Sequence, residues 1–178
     1  RYGQSALRLV DLESGRAVKS QTLSRRYFGE GITVWGDLIY QLTWKHGRCF
    51  IYDRQTFKQV GEAEYAGEGW GLTHDQTSLI KSDGSDQLQF LDPRTFRMTK
   101  RLAVTDRGRP VSQLNELEYV NGWIYANVWQ SDFIAIISPQ TGEVGGWTDL
   151  RTLFPANQRP HNDAVLNGIA FDAATGRL

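Results

Sequence analysis

A unit of short alternating segments and polar turns recurs along this chain of 178 residues. Its clearest marker is a turn resembling D-x-x-T, which begins at Asp11, Asp53, Asp92 and Ser138, at intervals of 42, 39 and 46 residues. Repeats of this length that are built from short strands are typical of β-propeller blades. The repeat therefore predicts an all-β propeller, in which side chains at matching positions of successive blades converge on one axis.

The length of the chain limits how many blades it can form. Five blades of about 40–45 residues need roughly 200–225 residues, and this chain has 178. We count three complete units, at residues 29–66, 67–106 and 114–150, flanked by two partial ones. We expect a single propeller domain over residues 1–178 with incomplete first and last blades. We interpret the chain as a fragment of a longer protein, since an open ring leaves strand edges exposed.

The unit that begins at Gly29 shows the predicted layout of a blade. Residues 32–34 read as a short first strand, 38–44 as a second, 48–53 as a third and 58–65 as an outer fourth strand. Apolar and polar residues alternate within these segments, and turn residues separate them. Almost no stretch of the chain has the 3.6-residue periodicity of a helix, so the pattern favours sheets throughout.

Composition excludes several classes of partner. Twenty Lys and Arg residues balance twenty Asp and Glu residues, so nothing indicates nucleic acid or an anionic membrane surface. No apolar run approaches the roughly 20 residues of a membrane-spanning helix. Cys49 is the single cysteine, so no intrachain disulfide can form. We expect a monomer that binds neither nucleic acid nor membranes.

A polar residue stands just before the first predicted strand of successive units, at positions Glu30, Glu68, Asn115 and Asn167. If the blades are radial, these side chains surround the mouth of the central channel. Trp44 and Trp129 end the second strands of their units at matching places, and Trp70 lies at the start of the middle unit. Apolar walls with a few convergent polar groups are the usual anatomy of a small-ligand site.

Simpler interpretations of the same residues stay open. The glycines that flank Glu30 could serve a tight turn in which the carboxylate accepts backbone N–H groups. The tryptophans could be core residues, because packed sheets need large side chains. His46, His74 and His161 lack the spacing of metal ligands, so we expect no catalytic zinc and no bound metal.

The motifs of this chain resemble those of the plant and bacterial glutaminyl-peptide cyclotransferases, also called glutamine cyclotransferases. The resemblance runs over essentially the whole chain. It is carried by YFGEGI at 27–32, YQLTW at 40–44, GEGWGLT at 67–73, SDGSD at 82–86, LNELEY at 114–119, YANVWQ at 125–130 and VLNGIAFD at 165–172. It implies a five-bladed β-propeller that converts an N-terminal glutamine to pyroglutamate and releases ammonia, without a metal or other cofactor.

The resemblance also implies roles for particular residues. Glu30 would be the general acid and base, Asn115 would hold the substrate, and the pocket walls would be Phe28, Trp44, Trp70 and Trp129. The partners would be peptides or proteins with an N-terminal glutamine, and the location would be secreted or periplasmic. Two motifs of the family, an FTQGL-like opening and a TGK-W segment with a functional lysine, would lie outside residues 1–178. The chain alone could therefore lack part of the catalytic set and be inactive.

Three other functions fit parts of the pattern. A non-catalytic propeller could use the same mouth to bind a peptide terminus or a small polar ligand. A structural scaffold could bind proteins at its outer strand edges, and it would keep Trp44, Trp70 and Trp129 buried. A propeller lactonase would need a metal held by a cluster of acids, which Glu30, Glu68, Asn115 and Asn167 nearly supply.

Overall fold

The computed structural model describes residues 2–161 and 164–178, which form two compact units. The N-terminal unit is Arg1–Gly69 and the C-terminal unit is Trp70–Leu178. The predicted domain 1–178 includes positions 1, 162 and 163, which lie outside the described residues. That residues 1–178 form a single domain stays a prediction.

The N-terminal unit contains six strands in two antiparallel sheets. The strands are β1 (Ala6–Val10), β2 (Ala17–Thr22), β3 (Gly29–Trp35), β4 (Leu38–Thr43), β5 (Arg48–Asp53) and β6 (Gln59–Glu64). Strands β1 and β2 pair with each other, and β3 to β6 form a four-stranded sheet in sequence order. We call this four-stranded sheet the first sheet.

The C-terminal unit contains two further four-stranded sheets. The middle sheet comprises β7 (Leu72–His74), β8 (Leu79–Lys81), β9 (Gln87–Leu91) and β10 (Met98–Ala103). A short hairpin follows, formed by β11 (Thr105–Asp106) and β12 (Arg109–Pro110). The third sheet comprises β13 (Leu114–Val120), β14 (Trp123–Val128), β15 (Phe133–Ile137) and β16 (Val144–Asp149), and a 3-10 turn at Ala156–Gln158 comes after it.

The predicted fold class is confirmed. Each of the three complete repeats forms one four-stranded antiparallel sheet whose neighbours are consecutive in sequence, which is the topology of a propeller blade. The partial repeats correspond to the β1–β2 pair and to a bridge between Asp172 and Arg177. No helix among the described residues is long and apolar enough to cross a membrane.

The aspartate copies of the repeated turn share one construction. In the first sheet the backbone N–H and hydroxyl of Thr56 both donate to the Asp53 carboxylate, at 2.7 and 2.6 Å. The next residue, Phe57, adopts a left-handed conformation with φ of 60° and donates its N–H to the Asp53 carbonyl. Asp11, Asp92 and Asp172 make the same kind of turn, so the structure adds a copy at Asp172.

Each unit has its own hydrophobic core. In the N-terminal unit the core contains Leu7, Leu23, Tyr27, Ile39, Phe50, Tyr52 and Phe57. In the C-terminal unit it lies between the middle and third sheets and includes Ile80, Leu88, Phe90, Leu102, Leu114, Leu117, Ile124 and Ile137. Burying each such side chain stabilises the fold by about 1.5–3 kcal/mol relative to exposure. These cores fix the strands whose ends carry the candidate site.

Candidate functional site

Glu30 lies in a β-bulge at the start of β3. Gly29 pairs with Thr43 and Ile32 pairs with Gln41, so Glu30 and Gly31 together oppose Leu42. The sequence pattern predicted a first strand beginning at Ile32, whereas β3 begins at Gly29 and includes Glu30. A bulge leaves one residue out of the ladder and redirects a side chain, which is why bulges are frequent next to active sites.

Asn115 occupies the matching bulge in the third sheet. Leu114 pairs with Val128 and Leu117 with Ala126, so Asn115 and Glu116 together oppose Asn127. The strand ends also correspond, because the N–H of Trp44 donates to the Phe28 carbonyl and the N–H of Trp129 donates to the Gln113 carbonyl. The equivalence of Glu30 with Asn115 and of Trp44 with Trp129, predicted from spacing, is confirmed by strand register.

The middle sheet corrects the predicted position of Glu68. The Trp70 N–H donates to the Ser82 carbonyl, and the Ser82 N–H donates to the Gly71 carbonyl, so Trp70 and Gly71 oppose Ser82. The residue equivalent to Glu30 is therefore Trp70 and not Glu68, which lies two residues earlier. The motif GEGWGLT contains two Gly-x-Gly patterns. The predicted unit began at the first, Gly67, whereas GEGIT of the first repeat corresponds to GWGLT, which begins at Gly69.

Burial raises the pKa of Glu30 to about 7. Glu30 lines a cleft of about 470 Å³ together with residues that include Ser5, Gly29 and Gln41. Within residues 2–161 and 164–178, the carboxylate has no hydrogen-bond donor to stabilise its charged form. Desolvation disfavours the ionised form of an acid, so this side chain can both release and accept a proton near neutral pH.

Trp44 is held by three neighbours in the N-terminal unit. Its indole N–H donates to the Glu68 carboxylate at 2.7 Å, and the Lys45 ammonium lies 4.1 Å from its ring centroid. The ring of Phe28 meets it edge to face, with centroids 5.6 Å apart. Phe28 and Trp44, both predicted as pocket walls, are thus in contact. Glu68 has the role of orienting the indole.

Tyr65 fixes the end of strand β4, just before Trp44. Its hydroxyl donates to the Thr43 carbonyl at 2.5 Å and accepts the Thr43 N–H at 3.1 Å. The Tyr65 hydroxyl also occupies the space beside Gly69, where an added Cβ would lie only 2.3 Å away. Tyr65 was not among the predicted site residues, because a tyrosine after an outer strand carries no periodic or motif signal.

The Asn115 side chain is buried with an unsatisfied acceptor. It is 7% exposed, and no described residue donates to its Oδ1 atom. Leaving a buried amide oxygen unpaired costs about 1–3 kcal/mol, and such groups are rare in native structures. A buried acceptor of this kind is suited to a ligand N–H group.

Trp70 and Trp129 are in contact within the C-terminal unit. Their rings meet edge to face with centroids 5.8 Å apart. Trp70 lies against Gly84, where any Cβ would be 2.7 Å from the indole, and Gly84 has a φ of +83°. Gly84 therefore makes room for the ring and adopts the turn conformation. Trp129 is 38% exposed, and neither Trp44 nor Trp70 is fully buried, contrary to the expectation for a purely structural scaffold.

The described residues hold no group of three or more His, Cys, Asp and Glu side chains that could bind a metal ion. Glu30 and Glu68 differ in their contacts, because the Glu68 carboxylate accepts the indole N–H of Trp44. Asn167 is exposed, and the N–H of its neighbour Gly168 donates to the Asn127 side chain at 2.9 Å. The acid cluster that a metal-dependent lactonase would need is not assembled by these residues within either unit.

Comparison with known proteins identifies the family. The profile described as glutamine cyclotransferase matches residues 1–178. The chain belongs to the glutamine cyclotransferase family. It is 41% identical over 182 residues to the glutaminyl-peptide cyclotransferase of Arabidopsis thaliana, a match that covers 99% of this chain and 56% of that protein. The resemblance stated from the motifs is thereby confirmed.

A solved structure agrees with this assignment. The crystal structure of the glutaminyl cyclase of Myxococcus xanthus matches with a TM-score of 0.92 and 39% identity, over 98% of this chain and 75% of that one.

The chain spans about 56% of the length of its curated plant relative. Of the four residues predicted as pocket walls, the structure places Phe28 against Trp44 and Trp70 against Trp129, and their common pocket stays a prediction. The convergence of Glu30 with Asn115 stays a prediction.

Proposed function

We propose that this chain carries the glutamine-binding site of a glutaminyl-peptide cyclotransferase, which converts an N-terminal glutamine to pyroglutamate and releases ammonia. Membership of the family supports this proposal. The single observation that carries it is Glu30, a half-buried acid whose pKa is raised to about 7. General acid–base catalysis is most efficient when the catalytic pKa lies near the working pH.

The reaction is an intramolecular acyl transfer. The substrate α-amine attacks its own side-chain amide carbon, a C–N bond forms to close the five-membered ring, and the bond to the amide nitrogen breaks. Ionised Glu30 accepts a proton from the attacking amine and then donates it to the departing nitrogen, which leaves as ammonia. Such proton transfer contributes roughly 10²–10⁴-fold to the rate, and holding the amine near the carbonyl supplies much of the rest.

The remaining predicted residues bind and orient the substrate. Asn115 Oδ1, which lacks a donor among the described residues, accepts a substrate N–H. Each unit offers one aromatic pair, Phe28 with Trp44 and Trp70 with Trp129, whose surface excludes water and favours the folded-back conformer of glutamine. No metal or other cofactor takes part, because one carboxylate carries out both proton transfers.

The wider setting is also part of the proposal. We expect a monomer acting on peptides or proteins with N-terminal glutamine in a secreted or periplasmic location, which rests on the family resemblance alone. The balance of twenty basic and twenty acidic residues supports the absence of a nucleic-acid partner.

The proposal is tested by measuring ammonia released from a short glutamine-initiated peptide by the full-length protein. The matched control is the same peptide with an acetylated α-amine, which cannot attack. We expect release from the free peptide alone, and no loss after treatment with a chelator. A rate equal to the spontaneous rate would refute the proposal. A loss that added divalent metal restores would favour a metal-dependent chemistry instead.

A further inference from the structure

The hydroxyl of Ser82 links the bulge that carries Trp70 to the bulge that carries Asn115. Ser82 lies just after β8 and is 0% exposed. Its Oγ atom accepts the Gly71 N–H at 2.8 Å and donates to the Asn115 carbonyl at 2.7 Å. One buried oxygen therefore satisfies two backbone groups, which belong to consecutive sheets of the C-terminal unit.

The fit around this hydroxyl leaves little freedom. An added Cβ at Gly71 would lie 2.1 Å from the Asn115 carbonyl oxygen, so the two bulges are in direct backbone contact. The neighbouring Gly84 N–H also donates to the Leu114 carbonyl, at 3.2 Å. A displacement of Ser82 would therefore move the Asn115 backbone, and with it the Oδ1 atom, to which no residue of the described part of the chain donates.

The residue opposite the bulge plays a related part in the third sheet. There the residue is Asn127, which is 3% exposed, and its Oδ1 accepts the N–H of Gly168 at 2.9 Å. In the first sheet the residue is Leu42, which is 0% exposed and packs against Gly69. A polar residue opposite the bulge is therefore present in some sheets only, and the fold does not require it.

We propose that Ser82 is a positioning residue for substrate binding, which sets the place of the Asn115 side chain relative to Trp70 through its two hydrogen bonds. This inference rests on the proposed function, since it takes Asn115 to bind the substrate. Ser82 contacts no substrate atom itself. Its loss acts on the binding of glutamine, and the proton transfers of Glu30 are unaffected.

The test compares Ser82→Ala with Thr73→Val in the full-length protein. Thr73 is 2% exposed, and its hydroxyl accepts the Tyr119 N–H at 3.0 Å. Both variants thus remove a buried hydroxyl that joins the same two sheets, but only Ser82 adjoins the bulges. We expect similar losses of Tm, whereas Ser82→Ala alone raises KM for a glutamine-initiated peptide by on the order of ten-fold or more. The pH dependence of kcat stays as in the wild type.

The outcomes separate this inference from the proposed function. An inactive wild-type protein, or an unchanged KM in Asn115→Ala, would overturn the proposed function and this inference with it. An active protein in which Ser82→Ala and Thr73→Val have equal kcat/KM would overturn this inference alone. If Ser82→Ala does not fold, Ser82→Cys fills the site with a somewhat larger side chain that donates and accepts hydrogen bonds more weakly. We then expect a smaller rise in KM, and an unchanged KM would overturn the inference.

Discussion

Glu30 and Lys81 are single residues whose burial shifts a pKa, in opposite senses and with different consequences. The pKa of Glu30 is raised to about 7, and that of Lys81 is lowered to about 8, in both cases because burial disfavours the charged form. Glu30 faces a cleft, so its shift serves chemistry in our account. Lys81 is 0% exposed, so its shift is mainly a cost to stability.

The pKa of Glu30 predicts a pH dependence of folding. The folded protein holds this proton up to about pH 7, whereas the unfolded chain releases it near 4.5. The native state therefore binds more protons between these values, and stability falls as the pH rises through this window. We expect Glu30→Gln to remove this part of the slope when urea unfolding of the full-length protein is followed from about pH 4.5 to about pH 8. Equal slopes in both proteins would contradict the assigned shift.

Lys81 predicts a stabilising substitution. Its lowered pKa means that the native state carries a buried charge at neutral pH, with Asp83 as the attracting group. The net effect of the surroundings lowers this pKa, so the charged form of Lys81 is less stable in the folded protein than in water, and an apolar side chain of similar volume avoids that cost. We expect Lys81→Met to raise the free energy of unfolding at pH 7 by on the order of 1 kcal/mol or more. The exposed Lys58→Met is the matched control and should change it by less than about 0.5 kcal/mol.

The lowered pKa of Lys81 also predicts how the stability of the protein changes with pH. Between about pH 8 and 10.5 the unfolded chain is protonated at this lysine and the native state is not. Wild-type stability therefore gains a contribution as the pH rises through this window, and Lys81→Met should lack it. A variant that is less stable than the wild type at pH 7 would show that Lys81 makes a net favourable contribution.

The repeated turn is the element whose stability is explained most directly by its hydrogen bonds. Carboxylates accept the turn hydrogen bonds at Asp53 and Asp92, and these bonds lower both pKa values. The third sheet has Ser138 in this place, where the Oγ atom accepts the Thr141 N–H at 3.3 Å. A neutral, longer hydrogen bond is weaker than a charge-assisted one.

This difference predicts that Ser138→Asp stabilises the third sheet. We expect Tm at neutral pH to rise by about 2 °C in the full-length protein. A lowered pKa contributes stability above the unfolded value of 3.8 that is lost as the pH falls through the folded value. The gain should therefore vanish in strong acid. The reverse change, Asp53→Ser, should lower Tm at neutral pH. An unchanged or lowered Tm in Ser138→Asp would contradict this explanation of the turn.

At the scale of the whole molecule, the sequence predicted the sheets well because their signals are local. The turns at Asp11, Asp53, Asp92 and Ser138 mark each repeat, and alternation marks the strands between them. The bulges could not be predicted, because they depend on which residue of a neighbouring strand lies opposite. The misplacement of Glu68 follows from this non-local pairing, and the contacts of Tyr65 with Thr43 and of Ser82 with Asn115 also join residues far apart in sequence.

The candidate site was predicted less completely than the fold. Spacing alone related Glu30 to Asn115 and Trp44 to Trp129, and strand register confirmed both relations. The sequence did not predict that the middle bulge carries Trp70 where the other two bulges carry a polar residue. The large ring fits there because Gly84, fourteen positions further along the chain, leaves room for it. Compensation between distant positions leaves no pattern in a single sequence.

The central claim is that Glu30 transfers the proton in glutamine cyclisation. The most direct measurement is the kcat for ammonia release from a glutamine-initiated peptide by full-length wild-type, Glu30→Gln and Glu118→Gln proteins. Glu118 is the control, because it is a half-buried strand acid whose pKa is also raised by burial. We predict that Glu30→Gln folds and loses roughly 10²–10⁴-fold in kcat, while Glu118→Gln stays near the wild type. A folded Glu30→Gln protein with near-normal kcat would contradict the account.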